Sequence, residues 1–460
     1  MAERLRDDRY LGAGGAGDLA LELYAGVAEL PILSPHGHVD VELLSRPDAR
    51  LPPPGQLFVT SDHYVTRLLY AHGVPLAELG VGQEEPDDRA VWDSFTGRLD
   101  LFAGTPVALW LRETLAAVFD LDPRVDASTY DALAGRLASP EFAPRALLDR
   151  FRIETIATTD PAGSTLAEHR SLHEQGLGGR VRPTFRPDAV VALDAPGWRG
   201  ALAALEEVSG REIGDYDGFV EALAERRAAF KELGATATDH STTAVWTERM
   251  SHAEASAAFA TALAGDVGES AARRFEAHML NELARMSVDD GLVMQLHLGS
   301  LRDHDRPLAA RFGPDIGGDI PVAADWTRGL RPVLEAYGAE PAFGLIAYTL
   351  DETVYSRELA PLAGHYPALR LGSPWWFHDS PNGIVRFLDR VTETAGVAKL
   401  AGFVDDARNF TAIPVRHDLW RRRCCGWLAR QVEAGIVEPG DAPRLAHDLA
   451  YGLAKRAYRL

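Results

Sequence analysis

Leu30-Pro-Ile-Leu-Ser-Pro-His-Gly-His-Val-Asp40 is the stretch on which the reading of this chain turns. A short apolar run closed by Ser34-Pro35 reads as a buried strand emerging at a rim, and beyond the rim stand His36 and His38. On extended backbone alternate side chains share a face, so the two imidazoles point the same way, and Gly37 adds no bulk between them. Two neutral imidazoles converging on one point make a ligand pair for Zn²⁺ or a similar divalent ion. The same residues also read as rim histidines bonded to loop carbonyls, so the motif takes its meaning from the strands that follow it.

Those strands recur as short apolar runs, each followed by a loop and a helix-length segment. With the first they are Ile32–Ser34, Ile153–Thr158, Val181–Phe185, Ala235–Thr238, Leu292–Leu298, Phe343–Thr349, Leu369–Gly372 and Leu400–Val404. Helical segments such as Asp217–Leu233, Ala271–Arg285 and Pro381–Thr394 lie between them. Alternation of strand and helix means parallel strands, and eight such units favour a closed (β/α)8 barrel of the TIM type over an open sheet with edges. The domain boundaries follow: an N-terminal arm at 1–29, the barrel at 30–50 and 150–415, a helical insertion at 51–149, and C-terminal helices at 416–460. Leu51-Pro-Pro-Pro-Gly55 opens the insertion, where the helical signals are Thr66–Leu79 and Thr105–Phe119. Gly12-Ala-Gly-Gly-Ala-Gly17 lacks the Lys-Ser/Thr ending of a phosphate loop and reads as flexible arm.

A chain of 460 residues can bury a large core, and 46% apolar with 25% charged residues is a soluble globular composition. Its 47 basic and 67 acidic residues give a net charge of −20, which argues against a nucleic-acid or acidic-membrane partner. An anionic substrate would then need arginines that reverse the field locally. The two cysteines, Cys424 and Cys425, are adjacent and allow no disulfide framework, which indicates a reducing setting. With no signal-peptide core and no apolar run of membrane-spanning length, a cytoplasmic location is expected.

In a barrel of this kind chemistry lies at the C-terminal ends of the strands. There the sequence places His36 and His38; Thr158-Thr-Asp160; Phe185-Arg-Pro-Asp188; Asp239-His240; Gln295 and His297 with Arg302; Tyr348-Thr-Leu-Asp351; Trp375-Trp-Phe-His-Asp379; and Asp405-Asp-Ala-Arg408. Ionisable groups end nearly every strand, and their convergence favours a metal site over isolated rim residues.

His-x-His after strand one, His297 after strand five and an aspartate after strand eight resemble the amidohydrolase superfamily. Tyr348 and Thr349 stand where its two-metal members carry a histidine, so one metal is expected rather than two. The finer resemblance, over almost the whole chain, is to the uronate isomerase family. It rests on Asp62-His-Tyr-Val-Thr-Arg67, Pro183-Thr-Phe-Arg-Pro-Asp188, Met294-Gln-Leu-His-Leu-Gly299, Trp375-Trp-Phe-x-Asp379 and Phe403-Val-Asp-Asp-Ala-Arg-Asn-Phe410, in that order. The chain departs from the family in His-Gly-His-Val around the second histidine and in Asp405-Asp-Ala-Arg408, where Thr-Asp-Ser-Arg is usual. Alignment on the arginine makes Asp406 the family aspartate, with Asp405 as its neighbouring alternative.

The resemblance implies interconversion of aldo- and ketohexuronates, D-glucuronate with D-fructuronate and D-galacturonate with D-tagaturonate, by proton transfer from C2 to C1 through an enediol. It implies one divalent ion, Zn²⁺ first and Mn²⁺ or another ion as alternatives, on His36, His38 and Asp406, with His297 as a further contact. Arg186 is the expected clamp for the substrate carboxylate, because a planar guanidinium matches it and lysine does not. Asp406 is the candidate base, and its pKa would have to be raised for that task unless an oxygen on the metal shares it. Arg408, with Tyr64 paired to His63, would stabilise the enediolate. His240, Trp375, Trp376 and Arg67 complete the expected substrate contacts.

Plainer readings stand beside these: His63-Tyr64 as helix capping around Asp62, the tryptophans as core, and Arg186 as a surface residue. A hydrolase or decarboxylase of the same superfamily acting on a similar sugar acid is the rival activity, and an inactive barrel that senses a sugar acid is a second. The expected partner is a small uronic acid, with no nucleic acid or membrane, and the expected assembly is a homo-oligomer.

Overall fold

A computed structural model describes residues 5–314 and 316–460, so the first four residues of the expected arm lie outside the described residues. The first strand, β1 (Ile32–Ser34), pairs in parallel with β2 (Ile153–Ala157). After a break at Thr158-Thr159 the β2 chain resumes as β3 (Asp160–Pro161). The next strand is split in the same way into β4 (Val181–Arg182) and β5 (Phe185–Arg186), with Pro183, which has no N–H to give a ladder, at the break. Backbone bonds from Thr158 N to Arg182 O and from Asp160 N to Thr184 O, at 3.0 and 2.9 Å, carry the pairing through both breaks.

The wall continues through β6 (Ala237–Thr242) and β7 (Val293–Leu298). A short antiparallel ribbon, β8 (Ser300–Leu301) with β9 (Ile320–Pro321), leaves it, and β10 (Leu345–Thr349) and β11 (Leu369–Leu371) resume the parallel order. Helices join successive strands, among them Tyr216–Glu232, Glu269–Asp290 and Pro381–Ala395, so the architecture is the expected (β/α)8 barrel.

The eighth strand differs from expectation. Only a bridge between Leu371 and Leu400 and a bond from Ala401 N to Leu371 O remain of it. Gly402 then takes φ +83°, outside extended geometry, and a Cβ there would stand 2.6 Å from the backbone nitrogen of Ala454. The last helix, Leu453–Ala457, presses against this segment and bends it away from ladder geometry. The ring is closed instead by the bond from His38 N to Ala407 O, at 3.0 Å. Closure therefore joins the two segments that carry the candidate metal ligands.

Two further expectations need correction. The fourth strand spans 237–242 rather than 235–238, which places His240 inside it. The glycine-rich stretch is not a flexible arm: Gly14–Ala25 is a helix packed on the long helix Ile413–Glu433. Arg9 Nη2 donates to Asp418 at 2.6 Å, and Arg423 Nη1 donates to the Tyr10 carbonyl at 3.1 Å, fastening the segment before it. Cys424 and Cys425 are buried on that long helix, where burial pushes the Cys425 thiol up to about 12.

Between residues 51 and 149 the regular elements are helical, as expected. The first long one, His63–Ala71, starts where the Asp62 carboxylate accepts from the Tyr64 and Val65 amides at 2.9 and 3.4 Å. Its buried Val65 and Leu69 join the same core as the barrel helices, so the insertion is packed down over the rim.

Candidate active site

Register decides which side chains enter the barrel. Partners in a parallel pair face the same side, and β6–β7 pairs Asp239 with Gln295 and Ser241 with His297. Asp239 and His297 therefore share the interior, where His297 Nδ1 meets Asp239 Oδ1 at 2.6 Å. His240, one residue on, faces the opposite way: it is buried, bonded to Thr238 at 2.9 Å, and lines no part of the rim cavity. Burial lowers its pKa to about 3. The signal that picks Asp239 over His240 is this parity, which required the true start of the strand.

A cavity of about 410 Å³ opens at the rim, within the size range of small-molecule sites of about 300–1,000 Å³. His36, His38, His297, Arg186, Arg408, Trp375 and Trp376 line it, as expected residues, together with Asp239 and Arg302, strand-end residues to which the sequence had assigned no role. Arg186 is oriented by two carboxylates, its Nε donating to Asp188 at 2.8 Å and its Nη1 lying 3.3 Å from Asp239. Arg302 donates to Asp319 at 2.6 Å and lies 5.0 Å over the Trp376 ring. These guanidiniums are cationic groups that an anionic substrate could meet, each already held by carboxylates of the barrel rim.

Asp406 Oδ1 lies 3.2 Å from His38 Nε2 and 3.5 Å from His36 Nε2. That oxygen is buried and accepts no hydrogen bond. Ligands about 2.0–2.2 Å from a tetrahedral ion stand roughly 3.4 Å from one another, so these three atoms fit a divalent cation. Asp405 is turned elsewhere, accepting from His417 at 3.0 Å and from Ala407 N at 3.1 Å. Left-handed backbone at Asp406, φ +45°, separates the directions of the two acids.

Burial opposes charge on Asp406, yet the two imidazoles hold its carboxyl well below the usual range. That is opposite to the raised pKa expected of a base, and it suits a metal ligand. A second set, His36, Asp239 and His297, is also close enough to share an ion. There, however, Asp239 is already held by His297 Nδ1 and Arg186. His297 keeps Nε2, buried and unbonded, as its remaining ligand atom.

The insertion reaches this rim. His63, Tyr64 and Arg67 line a smaller cavity of about 80 Å³ that shares His38, Trp376 and Arg408 with the larger one and is also bounded by Asp406. The Tyr64 hydroxyl donates to Asp379 Oδ1 at 2.6 Å and accepts from Phe377 N at 2.9 Å, and burial followed by Asp379 raises its pKa well above the ordinary phenol value. Arg67 lies 4.3 Å over the Phe377 ring and does not line the larger cavity. Trp376 faces both cavities, whereas the Trp375 indole donates to Asp406 Oδ2 at 2.9 Å. Trp375 thus holds the carboxylate from the side opposite the imidazoles.

A (β/α)8 barrel with two imidazoles after its first strand and a facing carboxylate after its last defines a member of the amidohydrolase superfamily. Residues 4–458 match the family model described as glucuronate isomerase, and the chain belongs to that family. It is 50% identical over 450 residues, 96% of this chain and 95% of the relative, to a uronate isomerase of Nostoc punctiforme. It is 47% identical over 451 residues, 96% of each chain, to one of Rhizobium meliloti. The crystal structure of glucuronate isomerase from Caulobacter crescentus superposes with a TM-score of 0.96 at 42% identity, over 99% of this chain and 97% of that one. The uronate isomerase from Thermotoga maritima superposes at 0.92 with 27% identity, over 99% and 100%. The chain is accordingly an aldose–ketose isomerase of hexuronates, an intramolecular oxidoreductase.

Proposed function

We propose that this enzyme interconverts D-glucuronate with D-fructuronate and D-galacturonate with D-tagaturonate at one Zn²⁺ held by His36, His38 and Asp406, with Mn²⁺ able to replace it. The observation that carries the reading is the convergence of Asp406 Oδ1 on both imidazoles beside Arg408, under an insertion that brings His63 and Tyr64 to the same wall. When bound, the ion supplies Lewis acidity at the substrate's oxygen-bearing end.

The chain's own residues do the rest. Arg186, aimed by Asp188 and Asp239, grips the C6 carboxylate at two points, and Arg302 adds charge beside it. Trp376 covers the sugar and excludes water. Asp406 carries the proton from C2 to C1, while the hydroxyl proton on O2 passes to O1 through His63 and Tyr64. A carboxylate of low pKa is a weak base, so this step depends on stabilising the enediolate, which falls to Arg408 and to the Tyr64 hydroxyl as it turns from Asp379. His297 and Asp239 fix the inner wall, with His297 Nε2 as a further contact to the ion.

Among the described residues no helix is long and apolar enough to cross a membrane. The proposal extends to a cytoplasmic location and a homo-oligomer, whose size sedimentation velocity measures. The deciding experiment incubates Zn²⁺-loaded protein with each uronate and analyses products by NMR and mass spectrometry. A ketouronate of unchanged mass is expected. Gain of water or loss of CO₂ would establish the hydrolase or decarboxylase instead.

A further inference from the structure

The strand-seven rim loop, residues 375–379, touches the candidate metal carboxylate at one end and the insertion at the other. Trp375 donates to Asp406 Oδ2 at 2.9 Å, while Asp379 Oδ1 accepts the Tyr64 hydroxyl at 2.6 Å. Between them Phe377 takes φ +68°, a left-handed conformation that L residues rarely adopt. Its amide donates to the Tyr64 hydroxyl at 2.9 Å and its ring lies under the Arg67 guanidinium, two contacts from the insertion that add to the bond from His378 N to the Trp375 carbonyl closing the turn at 3.0 Å.

A second path runs beside the first. Asp379 Oδ2 accepts from Arg416 Nη1 at 3.0 Å, and the same Nη1 donates to the Asp405 carbonyl at 2.9 Å, one residue from Asp406. The Arg416 guanidinium also stacks 4.0 Å from the ring of Trp110, on the insertion helix Pro106–Ala117. Asp379 is buried and Arg416 is 11% exposed; neither lines the larger cavity, although Arg416 bounds the smaller one. A buried ion pair is costly unless its remaining bonding capacity is met. Here part of that capacity is met by a hydroxyl from the insertion and part by the carbonyl beside Asp406.

We propose that Asp379 and Arg416 are positioning residues that couple seating of the helical insertion to the orientation of Asp406. With Tyr64 seated, Asp379 has its donor, Arg416 is aligned on the Asp405 carbonyl, and Trp375 is placed to bond Asp406. With Tyr64 lifted, Phe377 loses its acceptor, and both paths to the metal carboxylate slacken. The inference rests on the assignment of Asp406 as metal ligand made above.

The test uses full-length Zn²⁺-loaded protein and needs no turnover. Asp379→Asn keeps the shape of the side chain and removes the charge facing Arg416; Arg416→Lys is the second variant should the first not fold. Hydrogen exchange should rise about tenfold or more in both His63–Ala71 and residues 403–408, with β6 and β7 unchanged. Zinc release to a chelator should quicken about tenfold. Tyr64→Phe should give the same signature, and the double variant Tyr64→Phe/Asp379→Asn should add little to either single one. Parent-like zinc release, exchange confined to residues 375–380, or full additivity in the double variant overturns the coupling. A protein that isomerises no uronate but shows this signature refutes the proposed activity and leaves the coupling standing.

Discussion

The hydroxyl of Tyr458, just past the last helix, hydrogen-bonds the hydroxyl of Tyr348 inside the barrel. Tyr348 in turn stacks on His297 with ring centroids 4.2 Å apart and planes 10° from parallel. Both tyrosines are fully buried, among Leu33, Val293 and Ile346. The last helix therefore plugs the base of the barrel and supports the inner wall of the site. Tyr458→Ala should cost about 3–5 kcal/mol through the cavity it leaves, and Tyr458→Phe only about 1 kcal/mol. Chemical denaturation of the metal-free variants checks both values. Equal losses would mean that the hydroxyl pair, and not the ring, carries the plug.

For the metal, about one divalent ion per chain is expected, in keeping with a donor set that closes on a single point. His36→Ala and His38→Ala should each lose metal and activity together, as elemental analysis beside an activity assay will show. Full occupancy in both variants would refute the ligand assignment.

Arg186→Lys retains the charge but loses the planar fork that Asp188 and Asp239 aim. Binding of a uronate should weaken by about 1.5–3 kcal/mol, and that of a neutral aldose analogue by far less. Calorimetric titration with the two ligands separates the cases. An equal loss for both would assign Arg186 to structure alone.

Tyr64→Phe keeps the ring against Trp110 and Phe377 and removes the hydroxyl. At saturating zinc kcat should fall by about 10²–10³, the scale of losing one transition-state donor, with little change in KM. Steady-state kinetics on glucuronate reads the split. A rise in KM at constant kcat would place Tyr64 in ground-state binding.

His240 supplies a pH signature away from the metal. Burial lowers its pKa to about 3, against about 6.5 in the unfolded chain, so below pH 6.5 the unfolded state binds the extra proton. Its contribution is fully present above pH 6.5 and is lost as pH falls, by about 1.4 kcal/mol per unit, until the folded pKa is reached. Melting temperatures between pH 7 and 4.5 should fall less steeply for His240→Asn than for the parent. Parallel curves would show that His240 titrates normally.

The barrel, the helical character of 51–149 and the nearness of His36 to His38 were legible in the linear order of residues, because strand–helix alternation and side-chain parity are local properties. So was the helix start at Asp62, whose carboxylate reaches amides only two and three residues away. Tertiary structure decided what depends on partners far along the chain. The choice of Asp239 over His240 hung on where β6 begins, and the eighth strand was undone by the last helix pressing on Gly402. Asp406 was separated from Asp405 by one left-handed residue, and its low pKa comes from imidazoles some 370 residues earlier in the chain. The tie between Tyr64 and Asp379 spans 315 positions, a separation at which no local pattern links two residues. Local periodicity determined which elements form, and packing determined which of their side chains meet.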